Sequence, residues 1–305
     1  MDHPSVEGRT IVVTGGARGV GLAISVALGA RGANVVVNDI GADLGGAGRT
    51  SGPAEEAAAE IRKLGGKAIV NTGNVSEPEE ADGMIRDAVK QFGRVDGVVN
   101  NAGILRDGYF HKLSFEAFKA VIDVHLMGTF NVSRSAVGFF RDQEGGALVH
   151  MTSTSGLIGN RGQANYAAAK LGVVALSKSI ALDMQRYNVR SNCIAPFAWS
   201  RMFSKLPSET PEQKQRIERM KRMTPESIAP LVVYLLSDSA QDVSGQIFGV
   251  RANEVYLFHP TGLERSIHTA DGWSPESIGN HAMPSLSSSF APLVTSPEFF
   301  DWDPV

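Results

Sequence analysis

Apolar positions along the chain follow two rhythms. Short runs rich in β-branched residues predict strands over Thr10–Val13, Asn34–Asn38, Lys67–Asn71, Val95–Val99, Ala147–Met151, Arg190–Ile194 and Gln246–Val250. Between them, apolar residues spaced three and four apart predict helices near 20–30, 54–64, 77–92, 114–141, 163–187 and 225–237. Strands alternating with helices imply an α/β fold, a doubly wound parallel sheet of about seven strands with both faces covered. No internal repeat and no second domain boundary interrupt the pattern up to residue 250. Two stretches break it. GADLGGAGRTSGP, residues 41–53, is Gly-rich and reads as a mobile loop. Residues 251–305 lose periodicity, gain Ser and Pro, and read as an extension wrapped over the same domain.

One helix carries an unexpected residue. Phe115, Phe118, Ile122, Leu126 and Phe130 form an apolar stripe, and His125 lies beside it. A buried imidazole with one satisfied hydrogen bond is the structural reading; a titrating group in a site is the functional one.

Composition narrows the function. The 305 residues carry 29 basic and 32 acidic side chains, a net charge of −3, which gives no pull towards nucleic acid or an anionic membrane. The single cysteine, Cys193, excludes an internal disulfide and suits a reducing compartment. No apolar run approaches the ~20 residues of a membrane span. The N-terminus lacks a signal-peptide core, and the closing WDPV is no targeting tripeptide, so the expected location is the cytoplasm. His residues show no metal-ligand spacing, so no metal is expected.

The first strand runs into TGGARGVG, with Gly15, Gly19 and Gly21 ahead of a helix that includes Val20. Glycines there permit a tight turn and let backbone amides at a helix N-terminus approach a pyrophosphate. Asp39 ends the second strand, where a carboxylate can accept from ribose hydroxyls and repel a 2′-phosphate. Arg18 argues the other way, since a guanidinium suits a phosphate. Asp39 carries more weight, because an unpaired carboxylate facing phosphate costs more than a flexible arginine returns, so NAD is expected over NADP. NNAG, Asn100–Gly103, follows the fourth strand and faces the ligand crevice at the carboxyl edge, placing Asn101, Ala102 and Gly103 there.

The chemistry lies further along. Ser153 stands 13 residues before Tyr166, which opens YAAAK and shares a helix face with Lys170 at i,i+4. A free tyrosine has a pKa of ~10. A neighbouring ammonium favours the phenolate, which lets the phenol act as acid or base on a carbinol or carbonyl. Ser153 can donate to the oxygen where charge develops.

These motifs, in order over about residues 8–250, resemble the short-chain dehydrogenase/reductase family. The resemblance implies a Rossmann-type sheet, a dinucleotide-binding catalytic domain over 1–250 and nicotinamide-dependent hydride transfer. It implies a homodimer or homotetramer built on the helices at 114–141 and 163–187. It adds Asn74, Val75 and Pro196 to the cofactor site, and a ribose contact to Lys170. It makes His125 the counterpart of an asparagine that holds a water leading to the lysine. A helix distortion near Gly128 would free a carbonyl for the same task.

VVVNDIGADLGG, NNAGILRD, VHLMGTF, GNRGQANYAAAKLG and APFAWSRM resemble more narrowly the (3R)-hydroxyacyl-CoA dehydrogenase domain of multifunctional β-oxidation enzymes and bacterial single-domain relatives. The expected substrate is a 3-hydroxyacyl-CoA, with a fatty acyl or steroid side chain. A hydroxysteroid dehydrogenase, a carrier-protein reductase and a non-enzymatic NAD sensor or scaffold are the alternatives. Two departures stand out: Asn74–Val75 where the family often has Asp–Val, and Pro196–Phe197 where it has Pro–Gly. Lys214, Arg216, Arg219, Lys221 and Arg222 fall where the family has a substrate lid. They read either as a basic surface for CoA phosphates or as a solvated helix.

Overall fold

The computed structural model describes residues 4–199, 210–259, 261–270 and 272–305. Strands β1 (Thr10–Thr14), β2 (Asn34–Asn38), β3 (Lys67–Asn71), β4 (Gly97–Asn100), β5 (Gly146–Met151), β6 (Val189–Phe197), β7 (Ile247–Arg251) and β8 (Glu254–Leu257) form one sheet. Its order is β3-β2-β1-β4-β5-β6-β7-β8. The first seven strands are parallel and β8 returns antiparallel to β7. The fold is thus the expected Rossmann-type sheet, with one strand more than the pattern predicted.

The pleat explains why both faces are covered. In β1, Ile11 and Val13 point to one face and Val12 to the other. Ile11 and Val13 pack with Ile24 and Leu28 of helix α1 (Gly19–Gly29), Ile61 of α2 (Gly52–Lys63) and the C-terminal helix residues Val232 and Leu236. Val12 packs with Met84 and Ile85 of α3 (Pro78–Phe92), and with Val132 and Phe140 further along. Burying each such side chain contributes about 1.5–3 kcal/mol.

The predicted helix over 114–141 is two helices joined by a distortion. Ser114 caps α4 (Phe115–Ile122) by accepting from Ala117 N at 3.1 Å. Asp123–Met127 then adopts a π-helical turn before α5 (Gly128–Asp142). The bulge lies next to Gly128, whose Cβ, if present, would sit 2.6 Å from Val75 Cγ2. Close packing on that strand end thus coincides with the irregular turn. A short helix, α6 (Thr154–Leu157), leads to the 21-residue α7 (Ala164–Met184). Most of the 212–223 segment lies in α8 (Pro211–Met220), with Lys221 and Arg222 in the turn after it; the side chains of Arg216 and Arg219 lie outside the described residues, as does Ser200–Met202 of the APFAWSRM run. A short 3-10 turn and α9 (Ala229–Leu236) complete the core.

The Gly-rich 41–53 stretch is braced rather than free-standing. Asp43 Oδ1 accepts from Gly45 N and Ala47 N, each at 2.9 Å, and Leu105 N donates to Leu44 O at 3.0 Å. Its last two residues open α2. The extension docks on the domain. Ser296 N donates to Gly159 O at 2.9 Å, and Phe300 packs its ring 4.9 Å from Phe197 and 5.3 Å from Tyr256. Ser274 caps its short helix through a capping box with Ser277.

Candidate active site

Strand order reverses between β1 and β4, and a cleft of about 970 Å³ opens there along the carboxyl ends of the strands. Gly15, Gly19, Asp39, Val75, Ala102 and Gly103 line it, with Arg18, Asn74 and Asn101 beside them. The glycine turn is held from behind. Asn101 Nδ2 donates to Thr14 O and Gly15 O, each at 3.0 Å, and Thr14 Oγ1 accepts from Asn101 N and Ala102 N. Gly15 has φ +60°, and a Cβ on Gly21 would lie 2.0 Å from Gly15 O, so neither position admits a side chain. At Gly19 a Cβ would meet nothing within 4 Å, so the first turn of α1 opens onto the cleft. Exposed amides at a helix start beside empty volume suit a dinucleotide's phosphates.

Asp39 faces the same cleft. Its Oδ2 accepts from Ala17 N at 3.2 Å and its Oδ1 from Gly41 N at 2.8 Å, so it also braces the turn. Each oxygen retains a lone pair for a ribose hydroxyl. Arg18 is tied down: its Nη1 donates to Ala42 O at 2.9 Å. Asn74 Oδ1 accepts from Ser76 N at 3.0 Å, and Val75 O accepts from Asn131 Nδ2 at 3.0 Å. Val20, in the first turn of α1, also packs against the core, and Pro196 lies in β6 opposite Val250.

Ser153, Tyr166, Lys170 and His125 come together at the end of β5 and the start of α7. Tyr166 hydrogen-bonds Ser153. Lys170 is buried, its Nζ 5.6 Å from the Tyr166 ring centre and donating to Met151 O at 2.6 Å. Burial pushes the Lys170 ammonium down to about 8. The Tyr166 phenol is pushed up to about 12, first by burial and then by the charge of Asp107, while the Ser153 bond opposes the rise. The expected depression of the tyrosine pKa is therefore not a property of these side chains alone. Burial outweighs it.

His125 stands edge-on to Tyr166, ring centres 5.1 Å apart. Its Nε2 lies 3.0 Å from Ile104 N and 2.8 Å from Ile104 O, and its Nδ1 is buried with no partner. Burial, then the charge of Lys170, pushes it down to about 3, so the ring is neutral. The helix distortion foreseen beside Gly128 is present, but the His125 carbonyl already accepts from Thr129 Oγ1 at 2.7 Å.

Sequence reasoning missed several residues that complete the site. His150 is fully buried under Lys170's field and hydrogen-bonds Asn100 and Ser191. Asp107, Ser155, Asn160 and Gln163 join in a hydrogen-bonded chain that ends on Ser153. Asp107 and Gln163 lie inside motifs already singled out, NNAGILRD and GNRGQANYAAAKLG, and that position was the available signal. Among the described residues, no three His, Cys, Asp or Glu side chains gather as a metal cage, and no helix is long and apolar enough to cross a membrane.

Comparison with known proteins agrees with this geometry. The short chain dehydrogenase family model matches residues 9–209. A short-chain type dehydrogenase/reductase of Mycobacterium tuberculosis is 44% identical over 85% of this chain and 88% of its own length. The hydroxyacyl-CoA dehydrogenase ChsB1 of the same organism is 38% identical over 90% of this chain and 87% of its own. The peroxisomal hydratase-dehydrogenase-epimerase of Saccharomyces cerevisiae is 43% identical over 90% of this chain, which spans only 30% of that longer protein. The crystal structure of a short chain dehydrogenase from Mycobacterium avium superposes with a TM-score of 0.83 at 37% identity, covering 95% of this chain and 98% of that one. The chain belongs to the short-chain dehydrogenase family and is an oxidoreductase of the CH–OH group.

Proposed function

We propose that the protein oxidises the secondary alcohol of a 3-hydroxyacyl-CoA to the ketone with NAD. The observation that carries the chemistry is the meeting of Ser153, Tyr166 and Lys170 beside the open end of the dinucleotide cleft. Tyr166 takes the hydroxyl proton, Ser153 positions the oxygen, and Lys170 supplies positive charge behind the phenol. When bound, the oxidised nicotinamide accepts the hydride, and its charge favours the phenolate that burial alone disfavours. Gly15, Arg18, Gly19, Val20, Gly21, Asp39, Asn74, Val75, Asn101, Ala102, Gly103 and Pro196, with Tyr166 and Lys170, form the proposed cofactor contacts. Asp39 at the ribose end supports NAD, and the anchoring of Arg18 on Ala42 O supports it further.

The acyl-CoA assignment rests on ChsB1, named a hydroxyacyl-CoA dehydrogenase and matched over 87% of its length. We treat residues 251–305 as part of the same folding unit as 1–250, since Phe300 packs on Phe197. The exposed Phe115, Phe130, Leu171 and Leu182 on α4, α5 and α7 support a homo-oligomer through that face, and the lone buried thiol supports a cytoplasmic, reducing setting. The test is a panel of 3-hydroxyacyl-CoA and hydroxysteroid substrates with NAD and with NADP. NADH formation from the CoA esters is expected. Turnover of free steroids or carrier-protein esters alone would overturn the substrate, and full activity in Tyr166→Phe would overturn the mechanism.

A further inference from the structure

The sheet order puts β1 between β2 and β4, so a link from the loop after β2 to the loop after β4 crosses the carboxyl end of β1, where the glycine turn lies. Two hydrogen bonds make that crossing. Leu105 N donates to Leu44 O and Arg106 Nε donates to Gly45 O, each at 3.0 Å. Gly46 lies against Ile104, where a Cβ would stand 3.2 Å from Ile104 Cγ2. Ala42, Asp43, Leu44 and Gly46 line the dinucleotide cleft from one side, and Ile104 and Arg106 line it from the other.

The two halves of this bridge are built differently. Residues 104–107 are anchored to the catalytic elements. Ile104 N and O meet His125 Nε2, Arg106 O accepts from Asn165 Nδ2 at 2.9 Å, and Asp107 Oδ2 accepts from Gln163 Nε2 at 2.9 Å. The loop after β2 is fixed at its base instead. Thr50 N donates to Ile40 O at 2.9 Å, Arg18 Nη1 to Ala42 O at 2.9 Å and Arg49 Nη2 to Thr72 O at 3.0 Å. Its tip, residues 43–47, is braced from within: Asp43 N donates to Ala47 O at 2.8 Å, and Asp43 Oδ1 accepts from Gly45 N and Ala47 N. A braced tip on a fixed base moves as one piece.

We propose that residues 43–47 and 104–106 form a clasp over the glycine turn, that Arg106 is the positioning residue which latches it, and that a nicotinamide dinucleotide enters and leaves when the latch opens. The inference rests on the dinucleotide-binding reading of the cleft and adds its gate. The latch joins protein to protein, and about 970 Å³ lies in the cleft with the latch closed, so a bound cofactor does not have to break it. Weakening the latch therefore eases passage in both directions and leaves affinity little changed.

The test uses NADH, whose binding and displacement by excess NAD are followed by stopped-flow fluorescence in the unmodified protein and in Arg106→Met. We expect the association and dissociation rates to rise together by about threefold to tenfold, the scale of one lost hydrogen bond, with Kd held within about twofold. Charge alone predicts the opposite for association, because removing a cation beside an anionic ligand slows encounter. A rise in dissociation alone would make Arg106 a direct cofactor contact and overturn the proposal. Unchanged rates, with or without a lower melting temperature, would mark a merely structural contact and overturn it too. Should Arg106→Met fail to fold, Asp43→Ala, which loosens the tip from inside, decides by the same two rates. A protein that binds NADPH and not NADH overturns the NAD reading, and the same rates taken with NADPH then decide the clasp.

Discussion

Two buried histidines lie within the field of Lys170, and the regions that hold them could hardly differ more in how they treat a polar group. His150 sits next to the last residue of β5, in a chain of side chains that links neighbouring elements. Asn100 Nδ2 donates to Ser133 Oγ and to His150 Nδ1, each at 3.0 Å. Because Asn100 donates, His150 Nδ1 accepts, so the ring proton is on Nε2 and goes to Ser191 Oγ at 3.0 Å. Ser177 Oγ, at 2.8 Å from Ser191 Oγ, ends the chain on α7. His125 faces the site, with one nitrogen shared between Ile104 N and O and the other unpaired. Burial holds both rings neutral, pushed down to about 3. A fully paired buried network ties α5, three strands and α7 together. A half-paired ring beside Tyr166 leaves an orphaned nitrogen where substrate chemistry is proposed.

The largest expected effect tests the structural half of this contrast. His150→Leu takes one buried partner each from Asn100 Nδ2, which keeps Ser133, and from Ser191 Oγ, which keeps Ser177, and each buried hydrogen-bonding capacity left unmet costs about 1–3 kcal/mol. Stability by urea unfolding should fall by about 3 kcal/mol, while His125→Leu should cost clearly less because only the partly buried Ile104 backbone loses a partner. Equal losses in the two variants would erase the distinction. Next comes the contact that seats His125. A Cβ on Gly103 would stand 2.4 Å from His125 Cε1, so Gly103→Ala forces the imidazole or the loop to shift, at about 1–3 kcal/mol. The smaller side chain of His125→Asn should relieve much of that loss in the double variant. A Gly103→Ala protein of undiminished stability would show that His125 is not held by this contact.

Acid sensitivity probes what the two rings share. A histidine with model value 6.5 and a folded value of about 3 binds its proton more readily when unfolded between those limits. Its stabilising contribution is complete above about pH 6.5 and is lost as pH falls towards 3. Each ring adds up to about 1.4 kcal/mol of lost stability per pH unit in that window. Unfolding free energies across it should show the slope reduced by a similar share in His125→Asn and in His150→Gln. A slope unchanged in either variant would mean that ring is protonated in the folded protein.

What could be read in the sequence divides along the same line. His125 drew notice because a helix repeats every 3.6 residues and its neighbours made a stripe. His150 passed unremarked in ALVHM, where strand alternation says nothing about partners that come from residues 100, 133, 177 and 191. The glycine turn and the Ser–Tyr–Lys set were legible because local spacing places them. Asp107 and Gln163 were visible as letters, but their hydrogen bond forms only when two loops meet. β8 escaped because its hairpin turns at Ala252–Asn253, with Ala252 at φ +51°, and not at a glycine. The 41–53 loop looked mobile by composition, yet one carboxylate, Asp43, supplies the bonds that brace it.

The smallest expected effect bears on the catalytic half. An asparagine amide carries a donor and an acceptor, so His125→Asn can serve Ile104 N and O together, where the single ring nitrogen Nε2 serves one of them in a given tautomer. What it removes is the edge-on contact with Tyr166 and the orphaned Nδ1. The ring is neutral throughout the working pH range, so its loss should not move an acid or base limb of the rate profile. We expect kcat within about tenfold of the unmodified enzyme, since a single positioning contact is worth about 1 kcal/mol. A loss beyond a hundredfold with a displaced pH profile would instead make His125 part of the proton path, and the contrast with His150 would become one of chemistry as well as of packing.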